Sequence, residues 1–211
     1  ACLRAATTRH GVARTSAGAA VPLVVLGMGK LGGRELNLGS DVDLAFFYET
    51  DDATVGDGLG VTVHELYGRV ASRTAQALAE VTEDGFVFRV DLRLRPEGSR
   101  GPLVNSLASA ERYYETFGAT WERGALLRAR PVAGDVAFGE RLLATLAPFV
   151  WRREVRPAVV GEMASMVERA RLELGAHDDD VKLGRGGIRE AEFFVQSLQL
   201  VWGGRHPELH V

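Results

Sequence analysis

The chain has 211 residues, 46% hydrophobic and 25% charged, with a formal net charge of −3. These are globular values, enough for one large domain or two small ones with a core of their own. Neither charge nor composition suggests a nucleic-acid or membrane surface. No stretch is apolar for long enough to span a bilayer, and a single cysteine, Cys2, excludes an internal disulfide framework. The first residues lack a signal peptide's apolar core and there is no initiator Met, so a fragment of a longer cytoplasmic protein is expected.

In chain order, residues 3–20 are small and weakly patterned, as at the end of an earlier helix. Val21 to Leu26 is a β-branched apolar run that predicts a strand. It leads into Gly27-Met28-Gly29-Lys30-Leu31-Gly32-Gly33, a G-x-G-x-x-G match. A dinucleotide-binding crossover would need a dozen or more residues before the next parallel strand, and too few lie between Gly33 and Val42. The glycines are expected instead to let the backbone turn beside the next motif.

That motif is Gly39-Ser40-Asp41-Val42-Asp43, entering the apolar run Leu44 to Tyr48. Side chains two apart on a strand share a face, so Asp41 and Asp43 repel each other unless a cation lies between them. A hard divalent ion takes one or two carboxylates plus substrate phosphates. Gly39 and Ser40 add a tight turn, a free backbone N–H and a hydroxyl suited to a phosphate. The plainer reading is a turn whose acids are solvated or act as caps.

Residues 49–58 read as an acidic loop and 59–83 as a long helix, with His64 beside its apolar stripe as a structural residue. Phe86 to Arg95 alternates: Phe88, Val90, Leu92 and Leu94 on one face, Arg89, Asp91, Arg93 and Arg95 on the other. Either the polar face is solvated and balanced by neighbouring acids, or the strand pairs with the Asp41/Asp43 strand. In the second case Asp91 is a third carboxylate at the metal and the arginines hold phosphate oxygens.

Ser106 is placed to cap a helix, Trp121 to Arg130 reads as a second one closed by Pro131 and Gly134, and Asp135 caps a third with Phe138, Leu142, Leu146 and Phe149 on its core face. Another helix follows Pro157 to about Gly175, and Asp178 to Asp180 read as a solvated loop. Lys182 to Gly187 is a glycine-rich basic loop opening a helix that carries Ile188, Ala191, Val195, Leu198 and Trp202. Its N-terminal N–H groups, with Lys182, Arg185 and Arg189, suit an anion, or the loop is a flexible surface start. The composition shift near residue 135 divides the chain into an α/β domain, 1–134, and a helical domain, 135–211.

Three stretches together, Gly27 to Asn37 continuing through Gly39-Ser40-Asp41-Val42-Asp43, Val90 to Pro96, and Lys182 to Phe193, resemble the bifunctional glutamine synthetase adenylyltransferase/adenylyl-removing enzymes. The resemblance implies an α+β fold of the DNA polymerase β nucleotidyltransferase type, a small mixed β-sheet followed by the start of a helical bundle. It implies Asp41, Asp43 and Asp91 as metal-binding and catalytic residues for Mg²⁺ or Mn²⁺. Gly39, Ser40, Arg89, Arg93, Arg95, Lys182 and Arg189 would then bind phosphate or nucleotide. The strings Trp121-Glu122-Arg123, Lys182-Leu183-Gly184, Ile188-Arg189-Glu190 and Trp202 to Pro207 resemble the N-terminal, adenylyl-removing unit. The implied reaction is phosphorolysis of adenylyl-tyrosine on glutamine synthetase, with ADP released and a PII-type signal protein acting through the full-length enzyme; the alternative is attachment of AMP from ATP. A silent nucleotide-sensing module is disfavoured because all three acids are present, and a dinucleotide oxidoreductase by the short spacer.

Overall fold

A computed structural model describes residues 1–56, 60–153, 158–173, 180–182 and 184–210. Leu59, Pro157, Gly175, Asp178, Asp179 and Leu183, named above, lie outside them. In chain order the elements are α1 (Cys2–His10), β1 (Ala13–Arg14), β2 (Leu23–Gly27), α2 (Gly29–Gly32), β3 (Val42–Tyr48), β4 (Thr54–Val55), α3 (Val63–Ala79), β5 (Val90–Asp91), β6 (Val104–Ser106), α4 (Leu107–Thr116), α5 (Thr120–Leu126), β7 (Arg130–Gly134), α6 (Val136–Val150), α7 (Ala158–Glu173) and α8 (Ile188–Trp202).

The chain forms two compact units, Ala1–Phe117 with Arg128–Leu146, and Gly118–Leu127 with Ala147–Val211. A boundary at 134/135 differs from this division: Val136 to Leu146 of α6 stay with the first unit, and α5 goes with the second. Gly139 shows why for α6, since a Cβ there would lie 2.6 Å from Pro131 Cγ and 2.8 Å from Val24 Cγ2.

The sheet of the first unit is mixed. β3 is its centre, antiparallel to β2 over Leu23↔Tyr48 to Gly27↔Leu44. β5 and β6 are parallel to β3, β5 beside Val42–Asp43 and β6 beside Phe46–Tyr48. β2 and β3 are apolar and buried almost throughout because strands and helices cover both faces. Val25, Leu44, Phe46, Val104 and, from α3, Leu66 and Val70 share one core. The antiparallel β2–β3 pair, joined through the Gly27–Gly33 turn, is not the parallel crossover of a dinucleotide site.

Several elements depart from the expected ones. α3 begins at Val63 because Thr62 and Glu65 form a capping box: Glu65 N–H donates to Thr62 Oγ1 at 3.1 Å, and Thr62 N–H to Glu65 Oε2 at 2.9 Å. It ends at Ala79, leaving Val81 exposed. The strand expected from Phe86 to Arg95 is reduced to Val90–Asp91. Phe86 and Val87 are exposed, while the Arg93 N–H donates to Asp91 Oδ1 at 2.8 Å, a side-chain bond that takes the chain out of the ladder.

Arg130 to Gly134, expected to close a helix, is the edge strand β7 on β2. Its register on β2 shifts between Val25 and Leu26, where Val132 is skipped, and Pro131 is the partner of Leu26 on this edge strand. The helices capped by Ser106 and Asp135 form as expected: Phe138 N–H donates to Asp135 Oδ1 at 2.8 Å, and Phe138, Leu142, Leu146 and Phe149 are buried. In α8 the helix forms, yet Ile188, Val195, Leu198 and Trp202 are exposed, and Ser197 and Leu200 are buried instead. His64 is structural in placement, its Nδ1 3.2 Å from the hydroxyl of buried Tyr48.

In the second unit, Arg123 is buried and its guanidinium donates to Val150 O at 3.0 Å and Leu200 O at 3.4 Å. A cation there meets carbonyls near the C-terminal ends of α6 and α8, the favourable end of each helix dipole. Burial pushes its pKa down to about 10.

Candidate active site

The strand register brings the acids together. Asp43 and Asp91 are Cα partners across the parallel β3–β5 pair, so their side chains stand side by side on one face. Asp41 lies two residues before Asp43. Asp43 is half-buried, and its pKa rises from 3.8 to about 6, first through burial and then through the negative charges of Asp91 and Asp41. Asp91 moves the opposite way, its carboxyl held low chiefly by its hydrogen bonds from the Arg93 side chain.

Two of the three row arginines sit on these acids. Arg89 Nε donates to Asp41 Oδ1 at 2.6 Å and its Nη2 to Gly39 O at 3.2 Å. Arg93 grips Asp91 with Nε–Oδ2 at 2.9 Å and Nη2–Oδ2 at 2.6 Å. Both arginine side chains are mostly exposed, 68% and 77%. With Asp41 and Asp91 occupied in this way, no three acid, histidine or cysteine side chains among the described residues are grouped to hold a metal ion. The donor set is nevertheless of the right kind: hard carboxylate oxygens, with Asp43 destabilised as an anion by like charges that a cation would relieve.

Arg95 differs from what the alternation suggested. It is buried and donates to Leu92 O at 2.6 Å, Pro102 O at 2.9 Å and Gly101 O at 2.9 Å. Its guanidinium holds the 96–102 loop together and is not offered to an anion. At the turn, Gly39 takes a left-handed φ of +73°. The Ser40 N–H is not free, because it donates to Asn37 O at 3.1 Å. What the turn presents is the Ser40 hydroxyl, which has no partner among the described residues.

The glycine turn acts on Asp43 directly. Gly29 has φ +51°, and a Cβ there would lie 2.7 Å from Asp43 Oδ2. The missing side chain is what lets that carboxylate lie against the turn. The turn is pinned from β7: Arg130 Nε donates to Gly32 O and its Nη2 to Leu31 O, both at 3.0 Å. Arg128 Nη1 reaches Glu35 Oε2 at 2.7 Å. Arg128 and Arg130 looked like charged positions on a helix, and no local pattern marks a residue that acts some 98 positions away in sequence.

Lys182 and Arg189 fall in the second unit. The N–H groups opening α8 are already used: Gly186 donates to Glu190 Oε2 at 2.9 Å, Gly187 to Gly184 O at 3.0 Å, Ile188 to Val181 O at 3.0 Å and Arg189 to Lys182 O at 3.1 Å. The expected anion-binding loop is therefore closed on itself, with the Glu190 carboxylate where an anion would sit. Lys182 itself is exposed.

A small mixed sheet with Asp43 on one strand, Asp41 just before that strand and Asp91 on its parallel neighbour, followed by helices, has the α+β form of a nucleotidyltransferase. Residues 1–145 match the glutamate-ammonia ligase adenylyltransferase family, and residues 161–210 match the family of the GlnD PII-uridylyltransferase. Similar curated proteins are bifunctional glutamine synthetase adenylyltransferase/adenylyl-removing enzymes. That of Methylococcus capsulatus is 50% identical over 97% of this chain and 22% of its own length. Those of Thioalkalivibrio sulfidiphilus and Rhodopseudomonas palustris are 49% and 47% identical over 96% and 90% of this chain, and 21% and 19% of their own lengths. The chain belongs to the glutamate-ammonia ligase adenylyltransferase family, and it spans about a fifth of the length of these relatives.

Among the described residues, no helix is long and apolar enough to cross a membrane.

Proposed function

We propose that this chain is the catalytic unit that removes AMP from an adenylylated tyrosine of glutamine synthetase by phosphorolysis, within a longer cytoplasmic enzyme answering to a PII-type signal protein. The observation that carries the chemistry is the Asp43–Asp91 register with Asp41 two residues away and guanidinium groups at hand. The removing direction rests on the resemblance, read from the sequence, of Trp121-Glu122-Arg123 and Ile188-Arg189-Glu190 to the family's adenylyl-removing unit. Glutamine synthetase as substrate rests on the names of those relatives.

Asp41, Asp43 and Asp91 would hold Mg²⁺ or Mn²⁺. The ion, when bound, neutralises charge on the phosphate oxygens. The chain's own contribution is positioning and charge. Asp43 is fixed by the Gly29 turn, and Asp91 by its pairing with β3. Arg89 and Arg93 neutralise two of the acids; with those carboxylates committed to a cation, both guanidiniums would be free to meet phosphate oxygens. Ser40 offers its hydroxyl to a third oxygen.

An oxygen of inorganic phosphate attacks the AMP phosphorus in line as the bond to the tyrosine oxygen breaks. The tyrosine oxygen takes a proton from the medium, and the incoming phosphate becomes the β-phosphate of ADP. Two anions beside each other require the positive charge that Arg89 and Arg93 supply.

The test is made in the protein that carries this chain, with Asp41→Asn and Asp43→Asn. Phosphate-dependent ADP release from adenylylated glutamine synthetase should be abolished while AMP attachment from ATP persists. Loss of attachment with removal intact would assign this chain to the opposite reaction.

A further inference from the structure

We infer that the groove between α1 and α3 is a binding site for a multiply charged phosphate anion, separate from the aspartate centre. The groove, open to solvent along one side, has a volume of about 540 Å³, in the size range of small-ligand pockets. Small residues line it, Ala5 and Ala6 on α1 and Gly68 on α3. Its rim carries Arg9 and His10 from α1 and Arg69 and Arg73 from α3.

Three features point to an anion. First, among the described residues none of Arg9, Arg69 and Arg73 has a carboxylate within ion-pair distance, and all three are exposed. Second, Arg69 and Arg73 are spaced i, i+4 on one helix, an arrangement of like charges that weakens a helix by itself. Third, Arg69 Nη1 lies 3.2 Å from His10 Nε2, so one guanidinium is turned across the groove onto a ring nitrogen rather than onto an acid.

The one acid at the rim, Glu65, is engaged at the helix start, where Oε2 accepts from both the N–H and the hydroxyl of Thr62. Desolvation first, and then the charges of Arg69, Arg9 and Arg73, hold the His10 pKa below the ordinary imidazole value. Arg9 and His10 also favour the C-terminal end of α1. That accounts for the α1 pair; Arg69 and Arg73 lie mid-helix, where the dipole gives a cation no advantage. The fork geometry of guanidinium suits paired phosphate oxygens.

The test is nuclear magnetic resonance of the His10 ring during titration with inorganic pyrophosphate, in EDTA so that no divalent ion supports binding at the aspartates. Sodium chloride at matched ionic strength is the control. Expected is a saturable shift of the His10 resonances and a rise in its pKa. The double variant Arg69→Gln/Arg73→Gln should weaken affinity by about tenfold or more, since charge-assisted bonds are lost. Asp43→Asn should bind as the parent does. The inference is overturned if His10 is unmoved at about 10 mM pyrophosphate, where a millimolar site is occupied. It is equally overturned if sodium chloride shifts the ring as much, or if the double variant folds and binds unchanged.

Discussion

Replacing Asp43 by Asn separates stability from chemistry at the aspartate centre. The side chain keeps its shape and loses its charge. In the native state that charge is opposed by burial and by Asp91 and Asp41, which raise the pKa from 3.8 to about 6. A raised carboxyl pKa contributes stability below the unfolded value, and that contribution is lost as pH rises through the native one. The shift corresponds to about 3 kcal/mol at full weight. Part of the carboxylate faces water, so screening reduces the figure to about 1–2 kcal/mol.

Without divalent ions at about pH 8, Asp43→Asn should therefore be more stable than the parent by that amount. In a chain of this size this is a rise in Tm of about 2–8 °C. The gain should shrink on acidification and vanish below about pH 4, where the parent carboxyl is protonated in both states. Thermal melts in EDTA at several pH values measure it, with nucleotidyl transfer assayed in parallel and expected to fall by orders of magnitude. A variant that melts earlier than the parent at high pH would refute the reasoning, and would mean that Asp43 is held by favourable contacts rather than crowded by other acids.

Other substitutions test neighbouring parts of the argument. Gly29→Ala places a Cβ 2.7 Å from Asp43 Oδ2 at φ +51°. It should cost about 1–2 kcal/mol of stability in chemical denaturation and, by displacing the carboxylate, lower activity by roughly a hundredfold. Arg95→Met should lower Tm by orphaning the carbonyls of Leu92, Gly101 and Pro102, whereas Arg89→Met, which breaks an exposed pair, should leave Tm nearly unchanged and raise the phosphate concentration needed for half-maximal rate. Arg123→Met should destabilise the second unit by about 1–3 kcal/mol, read by denaturant melts, because two helix-end carbonyls lose a charged donor. An unchanged or raised midpoint would show that the cost of burying the guanidinium outweighs its bonds.

The parts of the fold legible in the sequence are those written locally. The apolar run into β3, the Asp135 cap and the Phe138–Leu142–Leu146–Phe149 stripe each depend on residues within one element, and each formed. Thr62 and Glu65 were equally local, and their capping-box spacing was the available signal for the start of α3. β7 was hidden because Pro131 reads as a stop, although an edge strand tolerates a residue without an N–H.

At the candidate site, the alternation around Asp91 left pairing with the Asp41/Asp43 strand as one of two readings, and the structure shows that pairing, in parallel. The alternation did not reveal that Asp91 would end the strand by accepting the Arg93 N–H. The fates of the three arginines diverge for reasons beyond their own strand. Arg89 meets Asp41, Arg93 meets Asp91, and Arg95 meets carbonyls of a loop whose path is set by tertiary packing. Arg130 holds the glycine turn from 98 residues away, a contact no window of sequence contains.

The most direct measurement follows the fate of the incoming phosphate. Adenylylated glutamine synthetase is incubated with the protein that carries this chain, a divalent ion and radiolabelled inorganic phosphate, and the nucleotide products are separated. The proposed phosphorolysis predicts label in the β-position of ADP, formed in step with unmodified glutamine synthetase and absent with Asp43→Asn. Release of unlabelled AMP, or labelled ADP formed undiminished by the Asp43→Asn protein, would contradict it.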